Sequence, residues 1–148
     1  MMMTTSAPAV TSSELASRLR QAVTRLNRRL RTSALGGISP SQASALAMID
    51  RLGAPEVGEL ANAEQVRPPS MTRMVDGLES LGLVQRRADD VDRRCQRVTL
   101  TSAGRRELAA IRVRKTAFLE ERLNELTNAD RAAVATALGI LERLSEDR

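Results

Sequence analysis

Arginine supplies most of the chemistry this chain can offer, and its densest run lies between Gln85 and Arg106. There Arg86, Arg87, Arg93, Arg94, Arg97, Arg105 and Arg106 stand against Asp89, Asp90 and Asp92, a local excess of four positive charges. A guanidinium presents a planar fork of donors that fits phosphate oxygens and the guanine edge two bonds at a time. Just ahead of this run, Pro69, Thr72, Arg73, Asp76 and Ser80 recur at a spacing that gathers them on one side of a helix. The chain has no histidine and a single cysteine, so the usual nucleophile and base pairs and zinc ligand sets cannot be assembled. It also lacks a phosphate-cradling glycine loop and a dinucleotide fingerprint. The available chemistry is therefore recognition of a polyanion, with no catalytic centre, cofactor or metal expected.

These groups need elements to hold them. Met71, Met74, Val75, Leu78 and Leu81 fall on one helical stripe, which predicts a helix over about 69–81 packed on a core with its polar side outward. Pro68 and Pro69 suit a turn and the first helical positions, where N–H groups have no intrahelical partner, and Gly82 supplies a stop. A hairpin follows: Leu83 and Val84 begin a strand, Ala88 to Asp92 form a polar turn, and Gln96 to Leu100 return with Val98 and Leu100 facing one way, a wing over about 84–100. Arginines on such a protruding hairpin can enter a narrow minor groove or pair with phosphates. Helix, turn, helix and hairpin in that order between Val57 and Thr101 read as a winged helix-turn-helix, with duplex DNA as partner. Phe118 is the only aromatic residue, so the stacking platforms of single-strand and RNA binders are missing.

The run from Ser70 through Gly77 to Val84, then Asp92-Arg93-Arg94 and Val98-Thr99-Leu100-Thr101-Ser102-Ala103-Gly104, resembles the MarR family of bacterial transcriptional regulators. The spacing matches without gaps, and the helical layout fits from about Glu14 to Glu146. One departure is Pro55 and Glu56, which replace the usual Ser, Thr or Asp cap of the first helix of the pair and put only its first turn in question. The resemblance implies a mainly α (α+β) fold with a helical dimerisation region, and a homodimeric repressor binding an inverted-repeat operator. By the same resemblance Ser70, Thr72 and Arg73 contact bases and phosphates, with Pro69 beside them and Arg67 holding the backbone. Arg73 has Asp76 as an alternative partner. On the wing, Arg94 is the first candidate for minor-groove insertion and Arg93 the next, Asp92 orients one of these guanidiniums, and Arg86 and Arg87 meet phosphates. Family members often release DNA when a small molecule binds between the dimer arms and the wing domains. No sequence feature here names such an effector.

The expected organisation is a disordered tail over 1–12, an N-terminal dimerisation helix over 13–36, the winged domain over 37–101 and C-terminal dimerisation helices over 102–148. Leu15, Leu19, Ala22, Val23, Leu26 and Leu30 stripe the first helix, and Ser39-Pro40-Ser41-Gln42 reads as a capping box opening the second. Thr101 or Ser102 and Thr127-Asn128-Ala129-Asp130 cap two later helices, the last carrying Val134, Leu138, Leu141 and Leu144. Terminal stripes that a winged domain cannot bury would be covered by a second copy. Net charge of +5 and a pI near 11.0 favour polyanions. No stretch reads as a signal peptide or a membrane span, which places the chain in the cytoplasm. Cys95 reads as a small strand residue, with a redox switch favoured by nearby arginines as the alternative. Rival readings are a sequence-neutral architectural DNA binder and a protein-interaction adaptor. Replacing Arg94 with Ala is expected to weaken operator binding and flatten its salt dependence by about one counterion; an unchanged affinity and slope in a shift assay across salt would remove Arg94 from the interface.

Overall fold

The computed structural model describes residues 10–92 and 94–146. In chain order these form α1 (Ser12–Ser33), α2 (Pro40–Leu52), α3 (Val57–Ala63), α4 (Pro68–Ser80), β1 (Val84–Ala88), β2 (Gln96–Leu100), α5 (Ser102–Asn124) and α6 (Asn128–Ser145). The molecule is mainly helical with one two-stranded antiparallel sheet, the architecture of a winged helix-turn-helix.

Local chemistry sets most boundaries. Thr11 caps α1 by accepting the Glu14 N–H at 3.2 Å. At α2 the Ser39 hydroxyl accepts from the Gln42 N–H at 3.1 Å while the Gln42 side chain accepts from the Ser39 N–H at 2.9 Å, and Pro40 opens the helix where its missing donor costs nothing. The first turn of α3 forms despite its unusual start: the Glu56 N–H donates to Glu59 Oε2 at 2.7 Å, and the Pro55 carbonyl accepts from the Val98 N–H at 2.9 Å. An isolated antiparallel bridge between Glu56 and Arg97 continues that attachment, so the entrance to α3 is held by the wing.

The core is a wedge where α2, α3, α4 and the hairpin meet. Leu46, Ile49, Leu60, Met71, Val75, Leu78, Val84 and Val98 are fully buried, and Leu108 and Ile111 of α5 close one side. Leu81, which extends the α4 stripe in the sequence, lies outside this core and is half exposed. The reason is that α4 stops at Ser80. The Leu83 N–H donates to the Leu78 carbonyl at 2.9 Å and the Gly82 N–H to the Glu79 carbonyl at 2.8 Å, with Gly82 at φ +70°, a left-handed stop that turns Leu81 outward and Leu83 inward.

The start of α5 is pinned to this same turn. The Thr101 hydroxyl donates to the Gly82 carbonyl at 2.6 Å and accepts from the Gly104 N–H at 3.0 Å, while the Thr101 N–H donates to the Leu83 carbonyl at 3.0 Å. A Cβ at Gly104 would lie 1.9 Å from the Leu83 carbonyl oxygen. By contrast α1 and α6 bury no residue at all, and among the described residues α6 packs only marginally on the rest of the chain. No helix among the described residues is long and apolar enough to cross a membrane. Gly104→Ala is expected to destabilise the protein by about 2–3 kcal/mol in urea unfolding, since backbone must move to admit the methyl group; a loss within error would show that the α4–α5 joint yields freely.

Candidate nucleic-acid interface

The outward side of α4 carries Pro69, Ser70, Thr72 and Arg73, all exposed, with Arg67 exposed at the position just before the helix. The Thr72 hydroxyl donates back to the Pro68 carbonyl at 3.0 Å, whereas Ser70 makes no side-chain hydrogen bond among the described residues. Arg73 has no ion pair among them either. Its alternative partner, Asp76, is held by Arg86 at 2.5 Å.

Arg86 therefore stands apart from the other arginines expected to meet phosphate. It alternates with Val84 along β1 and faces Val98 across the register, so the side chain lies over the core face and against α4. Its guanidinium bridges Asp76 and Glu79, its N–H donates to Glu79 Oε1 at 3.1 Å, and its side chain keeps only 19% of its exposure. Two carboxylates hold the fork, one at each terminal nitrogen, and brace the wing to α4. Arg87, on the opposite face, is exposed and approaches only the Gln85 amide, which can accept from it at 3.0 Å.

Arg97 is a second brace, on the other side of the hairpin. It reaches Asp89 at 2.6 Å, Glu59 at 3.1 Å and Glu56 at 3.4 Å, tying β2 to the start of α3. Asp89 in turn folds the wing turn: its Oδ1 accepts the N–H groups of Val91 at 2.8 Å and Asp92 at 2.9 Å. The Asp92 N–H, the Arg97 guanidinium and the Val91 N–H together hold the Asp89 carboxyl down at a pKa of about 2. Asp92, expected to orient a guanidinium, instead accepts the backbone N–H of Arg94 at 3.0 Å, because a short aspartate in a tight turn reaches the chain two residues ahead before any side chain. Arg94 is exposed and without an ion pair among the described residues. Arg93 lies outside the described residues.

Cys95 is not activated. Burial, together with the carboxylates of Glu56, Asp92 and Asp89, pushes its thiol pKa up, so the neighbours that count electrostatically are acidic and the thiolate is disfavoured. The exposed cations Arg67, Arg73, Arg87 and Arg94 lie on α4 and the wing without an ion pair among the described residues, and Arg86 and Arg97, on opposite faces of the hairpin, are spent on bracing it. Their sequence signals were present: period-two alternation places Arg86 with Val84, and Asp76 and Glu79 stand three apart on the facing helix. The clustering of Glu56 and Glu59 about Arg97 had no local signal, because 38 or more positions separate them along the chain.

Residues 38–96, which span this surface, match the family model for the MarR family. An uncharacterised helix-turn-helix transcriptional regulator of Mycobacterium bovis is 37% identical over 134 residues, which make up 90% of this chain and 94% of the relative. The chain belongs to the MarR family. It is a DNA-binding transcriptional regulator, not an enzyme. A second relative, the transcriptional repressor MdtR of Bacillus subtilis, is 28% identical over 110 residues, 74% of this chain and 71% of that one. The crystal structure of a Pseudomonas aeruginosa protein assigned as a transcriptional regulator superposes with a TM-score of 0.80 at 35% identity, covering 95% of this chain and 99% of the other.

Two outcomes follow for this MarR-family head. Arg86→Lys keeps the charge but cannot span Asp76 and Glu79; it is expected to cost about tenfold in DNA affinity by fluorescence anisotropy, while Arg87→Lys costs little, and the reverse ranking would make Arg86 the phosphate ligand. For Asp89 the folded pKa lies below the ordinary value of 3.8. Its stabilisation is complete above the unfolded value and is lost as pH falls through about 2. Wing amide protection in hydrogen exchange should accordingly decline between about pH 4 and pH 2, and Asp89→Asn should abolish that decline.

Proposed function

We propose that this chain acts as a homodimeric repressor of transcription in the cytoplasm, binding an inverted-repeat operator with two reading heads. The observation that carries this reading is the division of labour among the arginines. The two that brace the hairpin, Arg86 and Arg97, are paired with five carboxylates, whereas Arg67, Arg73, Arg87 and Arg94 form no ion pair among the described residues. Such a surface has the donors for phosphate and base edges, with Ser70 and Thr72 between them. Pro69 and Thr72 lie on the groove-facing side of α4, and Arg94, with Arg93 beside it in sequence, takes the minor groove.

One head covers only a few base pairs, so a specific site calls for two. Leu15, Val23 and Leu26 on α1 and Val134, Leu138 and Leu141 on α6 are all more than a third exposed in the single chain, which supports burial of the two terminal regions, 13–36 and 102–148, against a second copy. Half-sites about 10 base pairs apart follow from that symmetry. Repression is favoured by the relative MdtR, whose name describes a repressor.

A small-molecule effector would find its candidate site in the crevice beneath the first helix. A crevice of about 210 Å³ between α1, α2 and α5 is lined by Asn27, Arg31, Pro40, Ser44, Ile111 and Lys115. Two cations above an aliphatic floor suit a small amphipathic anion, and binding there would alter the angle between the arm and the winged domain.

The test is titration of the protein's own upstream intergenic DNA against scrambled duplex across salt. A preference of about a thousandfold with two chains per site is expected. Equal affinity for both, at matched salt, would instead favour sequence-neutral architectural binding.

A further inference from the structure

Among the described residues the backbone turns left-handed at Gly37, Gly53, Gly82 and Gln65, and Gln65 is the only one of these that carries a side chain. It stands at φ +53° in the turn that joins α3 to α4. A Cβ in this region crowds the following carbonyl, so a side chain is held there against a penalty that glycine escapes. The turn is otherwise built like the stop after α4. The Val66 N–H donates to the Ala61 carbonyl at 3.0 Å and the Gln65 N–H to the Asn62 carbonyl at 3.2 Å, as the N–H groups of Leu83 and Gly82 donate to Leu78 and Glu79. One closing pattern thus carries glycine in one turn and glutamine in the other.

The surroundings force the bend onto position 65. The Ser44 hydroxyl donates to Glu64 Oε2 at 2.7 Å and fixes the end of α3, Val66 packs against the core, and Arg67, restricted by Pro68 after it, is extended at ψ 141°. The Gln65 side chain gives the fold nothing in return: it is exposed, and its amide makes no hydrogen bond among the described residues. Strain kept at an exposed residue without an internal partner points to a use outside the chain. In a helix-turn-helix on duplex DNA the first helix crosses the phosphate backbone and the N-terminus of the second enters the major groove. The turn between α3 and α4 therefore passes over the groove rim, where phosphates line its path, and Gln65 stands there two residues ahead of the exposed Arg67.

We propose that Gln65 is a neutral DNA-backbone ligand, its side-chain amide donating to a phosphate oxygen at the groove rim and anchoring the entry of α4. Glycine would relax the turn but has no donor to offer, which accounts for the glutamine at a position shaped for glycine. A contact of this kind is blind to base sequence and releases no counterion, because the amide carries no charge. Its signature therefore differs from those of Arg67 and Arg73, whose guanidiniums make binding depend on salt. This inference rests on the reading of α4 as the groove helix and adds an uncharged anchor in the turn before it.

Stability and affinity should move in opposite directions in Gln65→Gly. Thermal unfolding of the full chain is expected to rise by about 2 °C, since relief of the left-handed clash outweighs the wider unfolded ensemble of glycine. Fluorescence anisotropy from about 50 mM salt upward, on the protein's own upstream intergenic duplex and on scrambled duplex, is expected to show affinity about fivefold lower on both, with an unchanged salt slope. Gln65→Lys, which offers a charged donor from the same position, is expected to bind at least as tightly as the parent at low salt and to steepen the slope by about one counterion per chain. A lower melting temperature for Gln65→Gly would show that the side chain serves the fold and would overturn the proposal. So would a loss confined to the intergenic duplex, which would move Gln65 to a base edge. Unchanged affinity in Gln65→Gly beside a clear loss in Arg73→Ala would remove Gln65 from the interface and leave α4 in the groove. If neither variant altered binding by a parent that binds DNA, both this inference and the reading of α4 would fall.

Discussion

Everything that reads or positions in this molecule hangs on the turn at Gly82 and Leu83. The helix α4 must stop abruptly for the wing to leave at the right angle, and only a left-handed residue closes the last turn while returning its carbonyls to hydrogen bonds. Two carbonyls of that turn, Gly82 and Leu83, then receive the hydroxyl and N–H of Thr101, and the backbone of Gly104 sits where a side chain would collide with Leu83. Reading helix, wing and the long helix α5 thus meet in one joint with almost no free volume.

Electrostatics divide the molecule differently from packing. Arg86 and Arg97 sit on opposite sides of the same hairpin and hold it to α4 and α3 through carboxylates of both helices. Their positive charge contributes little to the field outside. The cations left for a polyanion are fewer than the composition suggests, and they are the ones without an ion pair among the described residues. Acidic residues close to a DNA-binding surface look contradictory in a list of charges, but here Asp76, Glu79 and Asp89 are the anchors that make the wing stiff enough to present its remaining arginines.

Much of the fold was legible because its determinants are local. The Ser39–Gln42 capping box, the proline opening of α4, the Gly82 stop and the alternation from Gln96 to Leu100 each act within a few residues, and each lies where the sequence pattern predicts. The first turn of α3 was the exception in the other direction: its missing Ser, Thr or Asp cap is compensated by Glu59 and by a bridge to the wing some 40 residues later. Leu81 also misled, since a periodic stripe does not say where the helix carrying it will end.

Sequence by itself determined the family and the order of the elements, because helical period, turn chemistry and residue type are properties of short segments. Tertiary structure alone decided what each charged side chain does. Whether an arginine is a brace or a free donor depends on carboxylates brought near it by folding, as Glu56 and Glu59 are brought to Arg97, and ion-pair energy falls with a distance in space that separation along the chain does not fix. The same physics turned Cys95 from a thiol among arginines in the sequence into a thiol among carboxylates in the fold.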